Sequence, residues 1–381
     1  MKKLINCTIL LSLSLVMFGC GGPTIDKDSD DYQYIEESEK GVTNYKGDPF
    51  TGTIVEYYYK DGPLETELDY KEGKMDGKYK TYYEDGQLEL DGNFMTGIKS
   101  SRGVVHSVRD GNWKGYYDDG QLWWEANYKM GVKDGVEKYY YENGQLKSDE
   151  NYTALKDEFS DAMRTDYSRF GDKDGSQKEY YKDGQLKLDE NYVLGYKVGA
   201  QKEYYENGQL ELDENYALAL NEESALKDGN QKKYYENGQL DLDENYTMGY
   251  KDGGQKEYYE NSQLKLDGNY AVVEEEVGDG IFIVSGSEKD GSQKEYYENG
   301  QPESDRNYKM GEYDGKYKTY YKNGQLHIDR NYKMGQLDGN QKRYYENGQL
   351  HLDRNYKMGL ATGTWTAYYE HGKVSSQYNY D

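Results

Sequence analysis

Four histidines, His106, His327, His351 and His371, and two cysteines, Cys7 and Cys20, are the side chains of this 381-residue chain best suited to metal or nucleophilic chemistry. Their arrangement supports neither. His327 and His351 are one phrase copied 24 residues apart, and copies of a single repeat position make a poor shared ligand set. No Cys-x-x-Cys, His-Glu-x-x-His or serine nucleophile elbow occurs. The expectation is therefore a non-enzymatic protein with no catalytic residue, no metal site and no cofactor. Acidic runs such as Asp241, Asp243 and Glu244 lack the ligand spacing of a calcium loop and read as a solvated edge paired with lysines of the adjacent strand.

Tyrosine is the residue that recurs. There are 47 Tyr and 45 Gly against 6 Phe and 4 Pro, with a mean hydropathy of -1.17, which leaves too little aliphatic mass for one large closed core. Chains that stay disordered are poor in aromatics, and this one is not. The first tyrosine of the recurring Tyr-Tyr pair, at Tyr116, Tyr140, Tyr180, Tyr204, Tyr234, Tyr258, Tyr296, Tyr320 and Tyr344, defines a candidate binding face, since rigid aromatics beside adaptable polar groups suit protein contacts.

Charge is uneven. Residues 291–381 hold 13 Lys plus Arg and 12 Asp plus Glu, whereas residues 1–290 hold 34 and 60. Arg306, Arg330 and Arg354 stand where earlier copies carry Glu150, Glu190, Glu214 and Glu244, a candidate charge switch. So acidic a surface repels nucleic acid and anionic lipid and favours a basic partner; plain duplication from two ancestral copies explains the switch equally well.

The elements that must position these residues come from a repeat. A Tyr pair, a turn close to Glu-Asn-Gly-Gln, then Leu, an acidic stretch and Asn-Tyr return twelve times, with the turn residue at Gly62, Gly86, Gly120, Gly144, Gly184, Gly208, Gly238, Ser262, Gly300, Gly324, Gly348 and Gly372. The spacings are 24, 34, 24, 40, 24, 30, 24, 38, 24, 24 and 24. The unit is thus 24 residues, with insertions near 96–109, 153–173, 217–226 and 271–289. Such a period means a repeat array whose units bury their apolar faces on their neighbours. All four insertions fall after the Asn-Tyr or Asn-Phe that ends a hairpin, so they should project from one edge of the sheet, as tolerated surface loops or as a composite site. The apolar run Ile281 to Val284 could add a strand or dock on a partner.

Gly175 to Tyr192 shows what one unit should be. Two alternating runs flank Asp183-Gly184, and Asp-Gly or Asn-Gly in that place signals a two-residue type I′ hairpin. That register sets Tyr181 opposite Leu186, Tyr180 opposite Lys187 and Lys178 opposite Asp189, and puts Tyr181, Leu186, Leu188 and Tyr192 on the packed face. A three-residue turn with a bulge would shift the register and exchange the tyrosines' partners. Lys-Met-Gly followed by Asp-Gly supplies the second turn, making the chain a meander of about twelve hairpins, all-β, with a closing copy at Trp365, Val374 and Tyr378 that has the look of a cap.

Residues 1–19 have the layout of a secretory signal: Lys2 and Lys3, the apolar stretch Leu4 to Phe18, and Gly19 before Cys20. Met17-Phe18-Gly19-Cys20 resembles a bacterial lipoprotein signal, in which the cysteine is lipidated after cleavage. The expectation is export and anchoring at the cell envelope or surface through Cys20, with 20–46 as an acidic, flexible tether and 47–381 as the repeat domain.

The phrase Gly-x-x-x-x-Tyr-Tyr-x-Asn-Gly-x-Leu, seen at Gly229 to Leu240 and Gly339 to Leu350, resembles the bacterial variant of the MORN repeat. The resemblance implies an elongated single-sheet array, and it implies the label of a YwqK-type antitoxin. Two functions stay open from the sequence: a surface-anchored scaffold that binds another protein, and a carbohydrate or cell-wall binder, since tandem tyrosine-rich hairpins are similar to choline- and glucan-binding repeats. The second would use Trp123 and Trp124.

Overall fold

The computed structural model describes residues 22–38, 41–99, 105–154, 172–219, 224–278 and 281–380. The signal segment, Cys20 and most of the second insertion lie outside the described residues. The fold is all-β, a succession of antiparallel hairpins in which each strand pairs with its sequence neighbours. The chain divides into two compact units, one reaching Gly144 and including Ala154, the other formed by Gln145–Thr153 and the residues from Asp172 onward.

The hairpin turns differ from the two-residue expectation. Tyr181 N–H donates to the Gln185 carbonyl (2.8 Å), Gly184 N–H donates to the Tyr181 carbonyl (2.9 Å), and only the glycine takes positive φ, at 89°. This is a three-residue loop closed by a left-handed glycine. Tyr180 consequently faces Leu186 rather than Lys187, and a bulge at Lys187 restores the expected Lys178–Asp189 pair. Leu186 therefore leaves the face of Leu188 and Tyr192 and joins Tyr180. The cause is the side chain before the glycine. Asn207 Oδ1 accepts the Gln209 N–H at 2.9 Å, a local bond that holds Asn in right-handed space and competes with the double left-handed turn. In the first copy the positive φ moves to Asp61 (61°), because Pro63 pushes Gly62 toward extended backbone.

The type I′ turn exists, but at the other end of the strands. Met310 and Gly311 have φ of 47° and 80° between the paired Lys309 and Glu312, and Met334-Gly335 and Met358-Gly359 repeat it. The Asp of Asp-Gly caps this turn from the preceding unit: Met310 N–H donates to Asp290 Oδ1 and Met358 N–H to Asp338 Oδ1, both at 3.1 Å. Three insertions replace this turn by longer hairpins, Leu88–Lys99 with Val105–Tyr116, Leu210–Leu218 with Ala225–Lys227, and Leu264–Gly278 with Ile281–Lys289. The run Ile281 to Val284 thus adds a strand, leaving Phe282 and Ile283 exposed.

The stretch expected as a flexible tether is built into the fold. Thr24–Asp26 pairs parallel with Gly52–Tyr57, Asp30–Tyr34 forms a 3-10 turn, and Ile35–Glu37 pairs with Thr43–Tyr45. Ile25 is 3% exposed and packs with Phe50 and Ile54 beneath Tyr32, Ile35, Tyr45 and Tyr70. Four apolar or aromatic residues scattered among the acids suffice to close the first edge of the sheet, which an exposed row of backbone groups makes necessary. At the closing copy Trp365 packs between Tyr356 and Tyr380, whereas Val374 and Tyr378 stand exposed and cover nothing.

Among the described residues the buried apolar side chains all lie in the first unit. Trp113 is fully buried beside Trp124 and Ala126, ringed by Tyr79, Phe94 and Tyr128. Gly92 lies beneath it, where a Cβ would stand 2.2 Å from the indole. In the second unit the residues buried at the same position are polar.

Candidate functional site

The position seven residues before the turn glycine is buried in most copies. It holds Trp113 and Glu137 in the first unit and Gln177, Gln201, Gln231, Gln255, Gln293 and Gln341 in the second, all of them buried, and the half-buried Tyr79, Tyr317 and Trp365 in three other copies. The reason lies in the ladder beside it. Between the pairs Asp213–Lys232 and Tyr216–Lys227 one strand has Glu214 and Asn215 while the other has Asp228, Gly229, Asn230 and Gln231. Gly229, with φ of 83°, takes up the excess as a bulge. Asn215 then lacks its full complement of opposing peptide groups, and Gln231 supplies one: its Oε1 accepts the Asn215 N–H at 3.0 Å and its Nε2 donates to the Asn215 carbonyl at 2.8 Å. Gln177 does the same for Asn151 and Gln201 for Asn191. Trp113 and Trp365 provide the donor alone, to the carbonyls of Asn93 and Asn355.

The second tyrosine of each pair completes the join at the other end. Tyr205 donates its hydroxyl to the Tyr234 carbonyl in the next hairpin, and ten such bonds of 2.6–2.9 Å run along the two units. Asn207 Nδ2 adds a bond to the Glu236 carbonyl (2.8 Å), a contact repeated from Asn323 and elsewhere.

The first tyrosines, the expected binding face, lie on the side away from the glutamines and are all half-buried. Each pairs across its hairpin with an apolar residue, as in Tyr204–Leu210, Tyr234–Leu240, Tyr258–Leu264, Tyr296–Pro302, Tyr320–Leu326 and Tyr344–Leu350. Tyr116 pairs likewise with Leu122, and Tyr180 with Leu186; Tyr140 is half-buried in the first unit. Within the second unit the result is a strip of rings and leucines bordered by Lys–Asp pairs such as Lys178–Asp189 (3.6 Å) and Lys318–Asp329 (3.4 Å). These half-exposed pairs hold little energy and set a cation beside an acid along the face.

The charge switch turns out to be a swap of local partners. Glu190, Glu214 and Glu244 each bind a lysine from the following strand, Lys197 (2.5 Å), Lys227 (2.7 Å) and Lys251 (2.6 Å), and each accepts a hydroxyl from Tyr192, Tyr216 or Tyr246. Where the glutamate becomes Arg306, Arg330 or Arg354, the lysine position becomes Tyr313, Leu337 or Ala361. Arg306 bonds Glu295 (3.1 Å) and lies over Tyr317, and Arg354 lies over Trp365. The change from Glu to Arg thus reads, in two of three copies, as a stacked cation inside the sheet. The sequence changes at both positions, but only the strand pairing shows that the two side chains meet. The buried glutamine was harder to find, since polarity conceals a core position from any hydrophobic pattern.

The histidines sit against rings, His327 on Tyr321 and His351 on Tyr345, with centroids 4.4 Å apart. Burial, and then Arg343, hold both imidazoles below their ordinary range. Among the described residues no group of three His, Cys, Asp or Glu could hold a metal ion. Trp124 is buried and donates to Glu137 Oε1 at 2.9 Å, so it offers no ring to a sugar. A cavity of about 290 Å³ beside Lys27, Tyr32, Glu37 and Tyr70 lies under the first hairpin of the first unit.

Replacing Gln231 by leucine keeps the volume and removes the surrogate peptide. The Asn215 N–H loses its partner and its carbonyl keeps only the Asp228 N–H, which at about 1–3 kcal/mol per orphaned buried group should lower the urea midpoint and speed amide exchange at Asn215. Unchanged exchange at Asn215 would contradict the role. A second outcome concerns pH. Burial first, then Glu214, pushes the Tyr216 hydroxyl up to about 12 from an unfolded value of 10.0, and burial beside Glu190 and Glu244 raises Tyr192 and Tyr246 in the same way. Below the unfolded value the folded state keeps the whole of this contribution; above it the unfolded chain releases protons first and stability declines until the folded value is passed. Far-ultraviolet circular dichroism should therefore show alkaline unfolding in that window, together with a late 295 nm phenolate signal. Tyr216→Phe should flatten the slope.

Comparison with known proteins agrees with the repeat geometry. The family described as MORN repeat variant matches residues 75–95, 109–130, 133–154, 173–193, 197–217, 227–247, 251–271, 289–310, 313–334, 337–358 and 361–381, more than half of the chain. No curated protein matches. Among solved structures, a chain of the TcdB2-TccC3-Cdc42 complex is similar over 88% of this chain and 22% of its own, at 10% identity and a TM-score of 0.12. A chain of the TcdB2-TccC3 complex is similar over 91% and 23%, at 9% identity and a TM-score of 0.13. The present chain thus spans less than a quarter of their length, and superposition so poor carries no inference. With eleven matched copies, each spanning one hairpin of the repeat, the chain belongs to the MORN repeat variant family.

Proposed function

We propose that the chain is an exported, membrane-anchored scaffold that binds another protein along its repeat array. The observation that carries this is the strip of half-buried first tyrosines paired with leucines, held on hairpins that are locked to their neighbours by glutamine amides and tyrosine hydroxyls. Rings fixed in this way lose little freedom on binding, and preorganisation of that kind converts contact area into affinity. The Lys–Asp pairs beside them add selectivity more than energy. A basic partner fits the earlier copies, since residues 1–290 hold 34 Lys plus Arg and 60 Asp plus Glu, whereas residues 291–381 hold 13 and 12. Anchoring rests on Gly19-Cys20 after an apolar stretch, the pattern of a lipidated cysteine. The antitoxin activity implied by the family resemblance is kept apart from this reading, because an exported chain does not meet a cytoplasmic toxin. Carbohydrate binding is the second reading, with the half-exposed Trp123 as its aromatic platform.

In a bacterial host fed an alkyne fatty acid, the wild-type chain should take up the label and Cys20→Ala should not; label on the alanine variant would refute the anchor. For the scaffold, the protein should capture a defined partner from its own cell envelope, and combined Tyr204→Ser, Tyr234→Ser and Tyr258→Ser should weaken capture roughly tenfold with the strand signal retained. Glycan-array binding without protein capture would favour the second reading instead.

A further inference from the structure

The type I′ turns of the second unit carry the wrong residue for their geometry. Their first central position has φ near 47° at Met310, 46° at Met334 and 49° at Met358, a conformation that asparagine, aspartate or glycine adopts and a long side chain resists. Each methionine is exposed as well, 48%, 59% and 37% respectively, and Leu360 beside the last is 73% exposed. Backbone strain and an apolar side chain in water are thus combined in three successive turns, as they also are at Leu194, with φ of 49° and 44% exposure. Strain of this kind persists where a function uses it. Each methionine follows an exposed lysine, Lys309, Lys333 or Lys357, so the edge is a row of Lys-Met pairs.

The spacing of the row selects what fits it. Successive turns are two strands apart, about 9.6 Å at the usual strand separation. A helix rises about 10.5 Å in seven residues and returns close to the same face. An extended chain covers a similar distance in three residues but then points its side chain to the opposite side. A helix that carries apolar residues every seventh position therefore meets all three methionines, and acidic residues beside them meet the lysines. Methionine, unbranched and polarisable, suits such a surface. An anionic bilayer would meet the same lysines, but a fluid surface has no spacing of its own and gains nothing from turns set one heptad apart.

We propose that the Met310, Met334 and Met358 edge is a docking site for an acidic amphipathic helix of a protein partner. This rests on the scaffold reading and adds to it the location and the partner's chemistry.

The test uses the full-length protein and a fluorescein-labelled helical peptide of about three heptads, with leucine at every seventh position and glutamates alongside. Controls are the same composition with leucines scrambled, and phosphatidylcholine vesicles containing about a quarter phosphatidylglycerol. Fluorescence anisotropy should show the spaced peptide binding more tightly than the scrambled one. Combined Met310→Asn, Met334→Asn and Met358→Asn should weaken it roughly tenfold while the melting temperature holds or rises, since asparagine relieves the strained turn. Lys309→Gln, Lys333→Gln and Lys357→Gln together should remove the salt dependence. Equal binding of the scrambled peptide, or undiminished binding by the asparagine variant, overturns the proposal, as does methionine-dependent vesicle binding without peptide binding. If the wild-type chain captures a protein and the asparagine variant captures it equally, the edge assignment fails alone; if no protein is captured, the scaffold reading fails.

Discussion

A bent β-strand cannot leave the peptide groups at its bend unpaired in a buried place, and that constraint governs the repeat. The Asp-Gly bulge adds residues to one strand only, which strands the N–H and C=O of the asparagine across from it. Water would satisfy them if the site were open. Here a glutamine side chain takes the place of the missing peptide, with acceptor and donor at Asn151, Asn191 and Asn215 and with the donor at Asn245, Asn269 and Asn331. Orphaning such groups costs about 1–3 kcal/mol each, comparable to burying an aliphatic side chain. A core position occupied by glutamine is therefore as well determined as one occupied by leucine.

Much else in the repeat answers to the same requirement. The tyrosine hydroxyl reaches a carbonyl that the shortened ladder leaves open beyond its last rung. The asparagine of Asn-Gly serves two neighbours, its own turn through Oδ1 and the next turn through Nδ2. The aspartate of Asp-Gly caps the methionine turn. A sheet with so little aliphatic cover is held by side chains that imitate backbone, which explains how 47 tyrosines and a mean hydropathy of -1.17 are compatible with an ordered fold.

The all-β hairpin array was legible from period and turn residues, because glycine and the tyrosine pair repeat with little disguise. Turn type was not, since Asn-Gly is compatible with both a two-residue and a three-residue loop and the local asparagine bond decides between them. The acidic segment around Ile25 was misread for a different reason: four apolar residues are too few to show a period, yet enough to close an edge once Phe50 and Ile54 are beside them. Of the candidate site, the first tyrosines could be placed from alternation. The arginines could not, because their meaning depends on what the following strand presents, Lys251 to Glu244 but Tyr313 to Arg306.

That exchange separates charge from backbone closure in one copy and couples them in two. Beside Arg330 the amide of Gln341 still donates to the Asn331 carbonyl, as Gln231 does to that of Asn215 beside Glu214. Beside Arg306 and Arg354 the closing position holds Tyr317 and Trp365, the rings on which those arginines stack. A repeat thus takes on positive charge either by keeping its glutamine or by trading it for an aromatic platform, and the electrostatic profile is edited one copy at a time.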